Sequence, residues 1–143
     1  MKLSIIIVNY KSEQLILDAL SSFVTASSIH PEIIIVDNAS GEGRSYLIKD
    51  VYPQVKLVQM SYNAGFARGN NEGIRQSTGD IVLLLNPDTL SPNQAIDHCF
   101  NRFVSSEYVA CGVQLLNEDG SPQISGNYFM KGGLNNLLPL PIL

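Results

Sequence analysis

The sequence predicts an α/β domain built on a mostly parallel sheet with flanking helices, and three observations carry that prediction. Short Ile/Val-rich runs alternate with segments of helical periodicity from Leu3 onward. Gly65, Gly69 and Gly73 recur at every fourth position, so a helix would stack them on one face. Glycine weakens a helix interior by roughly 1 kcal/mol relative to alanine, so such a face implies close approach of another element. Finally, Ile81–Leu85 is apolar on both faces, as a central parallel strand should be, and it breaks off at Asn86-Pro87-Asp88. Open α/β sheets bind ligands beyond the carboxyl ends of their strands, which makes that polar tip a candidate site.

The elements follow in order. Leu3–Val8 is a continuous β-branched run, a buried strand. Ser12 and Glu13 open a helix whose apolar positions Leu15, Ile16, Ala19, Leu20 and Phe23 carry it to about Ala26. His30-Pro31 breaks the chain before a second buried strand, Glu32–Val36, with Asp37-Asn38-Ala39-Ser40-Gly41 as its polar exit. A short helix through Tyr46–Lys49 and a third strand, Val55–Met60, complete a βαβαβ order that calls for parallel pairing. After the glycine-spaced helix and Ile81–Leu85, the spacing Ser91-Pro92-Asn93-Gln94 predicts a capped helix start with proline at its first position, running to about Val104. Tyr108–Leu116 reads as a further strand, and Asn117-Glu118-Asp119-Gly120 as a hairpin turn leading into Gln123–Ser125.

Composition narrows the function. A chain of 143 residues with 45% hydrophobic content forms one domain with a real core, not a disordered segment. A net charge of −4 with no basic stripe argues against a nucleic-acid binder. Leu3–Val8 is too short for a signal peptide or a membrane span, so the expected location is cytoplasmic, at most peripheral to the inner face of the membrane. Cys99 and Cys111 lack metal-ligand spacing and read as small buried hydrophobes. His30 and His98 read as a loop residue and a helix-surface residue.

Four polar tips then stand out: Asn9-Tyr10, Asp37-Asn38-Ala39-Ser40, Asn63-Ala64-Gly65 and Asn86-Pro87-Asp88. Any one of them could be only a cap or turn former. Together, with Arg68 on the glycine-faced helix, they suit a nucleoside diphosphate: Asp37 accepting from base or ribose, Arg68 for a phosphate, Asp88 for a divalent cation. Competing readings fit less well. Gly41-Glu42-Gly43 lacks the third glycine of a dinucleotide fingerprint and follows the second strand, not the first. No P-loop motif occurs. A receiver-type signalling domain would need acidic residues where Asn9 and Tyr10 stand.

Four ordered stretches, Ser4–Lys11, Ile34–Ser40, Asn63–Asn71 and Thr78–Thr89, resemble the family 2 glycosyltransferases, most closely the rhamnosyltransferase-like branch, over about residues 3–126. The resemblance implies a GT-A (Rossmann-like) fold, with a nucleotide-sugar-binding α/β half joined to an acceptor-binding half. Position by position it implies that Asn9 and Asp37 touch the nucleotide base and ribose, that Asn63, Arg68 and Asn71 line the diphosphate and sugar pocket, and that Tyr10, Asn38 and Asn86 also belong to the nucleotide-sugar-binding set. Asn86-Pro87-Asp88 would stand in for the family's Asp-x-Asp motif, leaving Asp88 as the ligand of a divalent cation, Mg or Mn. The missing first aspartate weakens the metal expectation.

The family's reaction is an inverting transfer from a nucleotide-diphosphate sugar to a saccharide or lipid-linked acceptor, such as those of cell-surface polysaccharide synthesis. Its general base lies in a Glu-Asp segment of the second half. The only later acidic pair here, Glu118-Asp119, has turn context, so the base is expected outside this chain. Residues 127–143 form an apolar tail expected to begin a missing acceptor-binding half and to drive self-association into a homo-oligomer. The alternative is a non-catalytic interaction module, or truncated donor-binding homologue, acting through that tail.

Overall fold

The computed structural model describes residues 1–123, in two units divided between Glu107 and Tyr108. The first unit is a four-stranded parallel sheet of order β3-β2-β1-β4, with strands β1 (Leu3–Asn9), β2 (Glu32–Asp37), β3 (Lys56–Gln59) and β4 (Ile81–Leu84). Its helices are α1 (Glu13–Phe23), α2 (Tyr46–Val51), α3 (Phe66–Gln76) and α4 (Ala95–Val104). The α/β class and parallel pairing expected from the sequence are therefore present.

Every residue of β1 is buried, because both faces of the sheet are covered. On one face Ile5 and Ile7 of β1 and Ile33 and Ile35 of β2 meet Ile16, Leu20 and Phe23 of α1, Ile48 of α2 and Ile96 of α4. Full burial of one such side chain stabilises by roughly 1.5–3 kcal/mol, so this layer dominates the core. On the other face Ile6, Ile34 and Val36 form a thinner layer under α3.

Glycine is what lets α3 lie so close. A Cβ on Gly69 would fall 2.9 Å from Val8 Cγ1, and one on Gly73 would strike Ile6 and lie 3.1 Å from Val36 Cγ2. Gly65 departs from the expected pattern. It has open space around its Cα and instead precedes α3 with φ +84°, a left-handed turn that glycine adopts without strain.

The amino ends of the strands are pinned by polar contacts. Glu32 Oε2 accepts hydrogen bonds from Ser4 Oγ (2.5 Å) and Thr78 N (2.8 Å), and Gly79 N donates to Ser4 Oγ (2.9 Å). Helix α4 is clasped to the segment after α1 by Asp97, which accepts from Ser27 Oγ, Ser28 N and Ser28 Oγ, each at 2.7 Å. Burial alone would raise the Asp97 pKa, but these donors outweigh it and hold the carboxyl below its ordinary 3.8.

Several expectations are corrected. β4 is an edge strand among the described residues and only half-buried, since nothing described pairs with its outer side. Helix α4 starts at Ala95, not at Ser91-Pro92, because Asn93 and Gln94 take positive φ (54° and 57°) and turn the chain first. Among the described residues Tyr108–Leu116 forms no strand: Leu116 makes an isolated antiparallel bridge to Pro122. The turn at Asn117–Gly120 does form, with Gly120 N donating to Asn117 O at 2.9 Å, and Gln123 N reaches Leu115 O at 2.8 Å. Cys99 is half-buried and Cys111 exposed, so neither is a fully buried hydrophobe. His98 is exposed on α4, as expected. The expected boundary at residue 126 and the apolar tail, 127–143, lie outside the described residues.

Two stability measurements follow. Gly73→Ala should lower the urea midpoint, costing roughly 1–3 kcal/mol by overpacking despite alanine's better helix propensity; a gain in stability would contradict the close packing of α3. Asp97 is depressed in the folded state, so its contribution is present above its unfolded pKa and is lost as pH falls through the lowered folded value. Unfolding free energy measured against pH should therefore decline below about 4, and Asp97→Asn should flatten that decline.

Candidate functional site

The four polar tips converge on the carboxyl rim of the sheet. Asn9 lies opposite Asp37 in the β1–β2 register, and Asp37 opposite Gln59 of β3. On the other side Ile6 faces Leu84, and Leu85 N donates to Ile6 O at 2.9 Å, so Asn86-Pro87-Asp88 leaves the sheet at the same rim. An open concavity of about 350 Å³ is lined there by Val8, Tyr10, Ser12, Asn38, Asn63, Gly65, Phe66 and Pro87. A second, of about 210 Å³, is lined by Asp37, Ala39, Gly41, Glu42, Gln59 and Met60.

The rim divides into a buried frame and an exposed set of groups. Asn9 is fully buried. Its Oδ1 accepts from Ser12 N and Ser12 Oγ (both 3.1 Å), so Asn9, and not the side chain of Ser12, secures the start of α1. Its Nδ2 faces Glu13 Oε1 (3.1 Å), Ser40 Oγ (3.1 Å) and Asp37 Oδ1 (3.3 Å). Asp37, 3% exposed, accepts Ser40 N on Oδ1 (3.1 Å) and Ser45 Oγ on Oδ2 (3.0 Å). Gln59 Nε2 in turn donates to Ser45 Oγ (3.0 Å).

A second clasp joins the exit of β2 to the entry of α3. Asn38 Nδ2 donates to Asn63 Oδ1 (2.8 Å), Asn38 Oδ1 accepts Ala64 N (2.9 Å), and Asn63 Oδ1 also accepts Gly65 N (3.0 Å). This fixes the amino end of α3 at the edge of the larger concavity. The N–H groups of a helix's first turn have no partner within the helix and, with its dipole, favour an anion.

The exposed groups are Tyr10, Arg68, Asn71, Asn86 and Asp88. Tyr10 carries the Lys11 ammonium 5.4 Å from its ring centroid. Arg68 lies in the first turn of α3 and Asn71 one turn further on. The side chains of Arg68, Asn71, Asn86 and Asp88 make no hydrogen bond or ion pair among the described residues. Of the sequence-expected residues, then, Asn9, Asp37 and Asn38 are buried with their polar atoms engaged, Asn63 is exposed but engaged in the clasp, and the other five are free to meet a ligand.

For a divalent cation, no group of three acidic, His or Cys side chains gathers among the described residues. Asp88 sits exposed in the turn after β4, two residues past Asn86. One free carboxylate suits Mg²⁺ or Mn²⁺, which commonly take one or two protein carboxylates and complete their shell with water and substrate phosphates. The residues fit a cation that arrives with a phosphorylated ligand.

Sequence reasoning missed Glu13 and Arg44. Arg44 Nη2 meets Glu13 Oε2 at 2.7 Å and Arg44 Nε meets Oε1 at 3.3 Å, and this pairing holds the Glu13 carboxyl below its ordinary pKa. A signal did exist: Glu13 shares the helical phase of Ile16, Leu20 and Phe23, which puts a charge on the buried face of α1. Glu118-Asp119, weighed as an acidic pair, is turn chemistry, since Asp119 Oδ1 accepts Ser121 N (2.9 Å) and Ser121 Oγ (2.6 Å).

Comparison with known proteins places this architecture. The model of glycosyl transferase family 2 matches residues 4–140, and the chain belongs to that family. Among its relatives, the low-salt glycan biosynthesis hexosyltransferase Agl10 of Haloferax volcanii is 34% identical over 96% of this chain and 46% of its own length. The poly-β-1,6-N-acetyl-D-glucosamine synthase of Staphylococcus epidermidis is 30% identical over 65% of this chain and 23% of its own. Among solved structures, the mannosyltransferase PcManGT of Pyrobaculum calidifontis, in complex with GDP-Man and Mn²⁺, shares the fold at TM-score 0.69 and 21% identity, over 81% of this chain and 36% of that one. TarS of S. aureus in complex with UDP-GlcNAc does so at TM-score 0.65 and 20% identity, over 80% and 37%. The GT-A fold is thereby shown. The chain spans 46% and 44% of the length of two of the curated relatives it matches, and a smaller share of others.

The clasp at the rim is testable on its own. Asn38→Leu leaves Ala64 N without its acceptor, which should cost roughly 1–3 kcal/mol and speed hydrogen exchange at Ala64 and Gly65; unchanged exchange there would show that the clasp does not hold the loop.

Proposed function

We propose that this chain binds the donor in glycosyl transfer, holding a nucleotide-diphosphate sugar at the carboxyl rim of its sheet. The observation that carries the reading is the convergence on one rim of two open concavities, the larger lined by Tyr10, Asn38, Asn63, Pro87 and the residues that open α3, the smaller by Asp37, with Asp88 following Pro87 in the chain. Each part has a distinct task. Tyr10 offers a ring face to the nucleoside, and Asp37, which lines the smaller concavity and has lone pairs beyond those its frame engages, an acceptor to base or ribose. Arg68 and the first-turn N–H groups of α3 offer positive charge to the diphosphate. Asn71 and Asn86 offer amides to phosphate or sugar hydroxyls, and Asp88 holds the divalent cation.

The reaction we infer is a single displacement at the anomeric carbon with inversion, onto a saccharide or lipid-linked acceptor whose hydroxyl proton goes to a carboxylate base. A divalent cation, when bound, supplies charge neutralisation to the departing nucleoside diphosphate. Fixed donors aimed at the diphosphate do the same from the protein side, and their value lies in needing no reorganisation. The relatives' names support glycan building as the setting, and the neighbours' ligands support a nucleotide sugar as donor. We place this work on the cytoplasmic side, where nucleotide sugars are the natural supply.

Calorimetric titration with UDP-, dTDP- and GDP-sugars, each with and without Mn²⁺ or Mg²⁺, tests the reading. One of them should bind, more tightly with the cation, and Asp88→Ala should erase the cation-dependent gain while leaving the fold intact. Binding by none would end the donor reading; a cation effect that survives Asp88→Ala would remove Asp88 from its assigned role.

A further inference from the structure

We infer that the Glu13–Arg44 ion pair is a positioning device for the nucleoside end of the site: it holds the Asn9 amide, which in turn fixes Asp37. The inference rests on the donor-binding reading above and adds two residues to it.

Glu13 is the first residue of α1 and only 6% exposed. A carboxylate in that position is unfavourable unless its charge and lone pairs are matched. Arg44 matches them with a two-pronged contact, and Oε1 is shared with Asn9 Nδ2 at 3.1 Å. The Asn9 amide has two protons and three acceptors around it, Glu13 Oε1, Ser40 Oγ and Asp37 Oδ1. Two carboxylates therefore compete for one amide inside a buried knot. With Arg44 in place the charge of Glu13 is balanced, and Asn9 can serve both. Without it, Glu13 is an uncompensated anion next to Asp37, and the knot relaxes by turning one of the two carboxylates or the amide away.

The strap that carries Arg44 adds a second reason. Between Asp37 and Ser45 the chain takes positive φ at Ala39 (60°), Gly41 (118°) and Gly43 (74°). An alanine there is held in a conformation that L residues seldom adopt, which persists only when its surroundings fix it. Near its start the strap is fixed by Ser40, whose Oγ accepts Lys11 N at 3.0 Å. Near its other end it is fixed by Arg44. Ala39 and Gly41 line the smaller concavity beside Asp37, whereas Arg44 lines neither concavity. Its influence on a ligand must then pass through Glu13, Asn9 and the strap.

The test is titration of the 143-residue chain and three variants, Arg44→Met, Arg44→Lys and Glu13→Gln/Arg44→Met, with UDP, dTDP, GDP, UMP, dTMP and GMP in the presence of Mn²⁺. Circular dichroism checks that each variant is folded. For the nucleotide that the unaltered chain binds, Arg44→Met should weaken the diphosphate and the monophosphate by the same factor, about tenfold, because the loss sits at the nucleoside. Arg44→Lys should recover most of it, and the double variant should bind better than Arg44→Met, because its buried carboxylate is gone. Affinity unchanged in Arg44→Met would overturn the inference. So would a loss confined to the diphosphate, which would make Arg44 a direct phosphate contact. If Arg44→Met fails to fold, the double variant decides: diphosphate and monophosphate binding weakened equally supports positioning, and unaltered binding overturns it. Failure of the unaltered chain to bind any of the six is a separate result, which removes the donor reading itself.

Discussion

One buried amide governs the geometry of this molecule. Asn9 closes the central strand, and its two polar atoms reach the start of α1, the end of β2 and the strap that follows β2. A polar side chain with no exposure is tolerated only when its donors and acceptors are met, and no buried side-chain polar atom among the described residues lacks a partner. The consequence is mutual dependence. Asn9 cannot move without releasing Asp37, and Asp37 cannot turn without releasing Ser40 and Ser45.

The sheet beneath gives that knot something rigid to stand on. Its two faces differ in thickness: α1, α2 and α4 bury a broad apolar layer, while α3 comes in close over a narrow one. Close approach through Gly69 and Gly73 brings the amino end of α3 up to the rim, and the Asn38–Asn63 clasp sets its height. At the opposite ends of the strands Glu32, Ser4 and Thr78 tie β1, β2 and the approach to β4 together. Binding groups carried by such a scaffold lose little freedom when a ligand arrives, and that is where preorganised affinity comes from.

Much of this was legible in the sequence. Continuous Ile/Val runs marked β1 and β2 because a doubly covered parallel strand has no polar face to confuse the period. Glycines at every fourth residue announced the close packing of α3, and the strand-end tips announced the rim. What escaped was tertiary. Glu13 and Arg44 are 31 residues apart and look like a helix start and a loop charge until the fold joins them. The edge position of β4 could not be read from Ile81–Leu85, since apolarity on both faces says nothing about what lies beside the strand. The Ser91-Pro92 cap was misplaced because the left-handed turn at Asn93-Gln94 outcompetes a spacing rule. In the site, residue types were readable but their division into frame and contact was not, because that depends on which amides face inward.

The most direct measurement of the central claim is the map of backbone amide shifts when a nucleoside diphosphate is added to the isotopically labelled chain. The account predicts perturbations gathered at Tyr10–Ser12, Asp37–Ser45, Asn63–Arg68 and Asn86–Asp88, all on one rim, with Lys2, Glu32 and Thr78 at the far end of the sheet unmoved. Shifts centred on that far end, or scattered without preference for the rim, would contradict it.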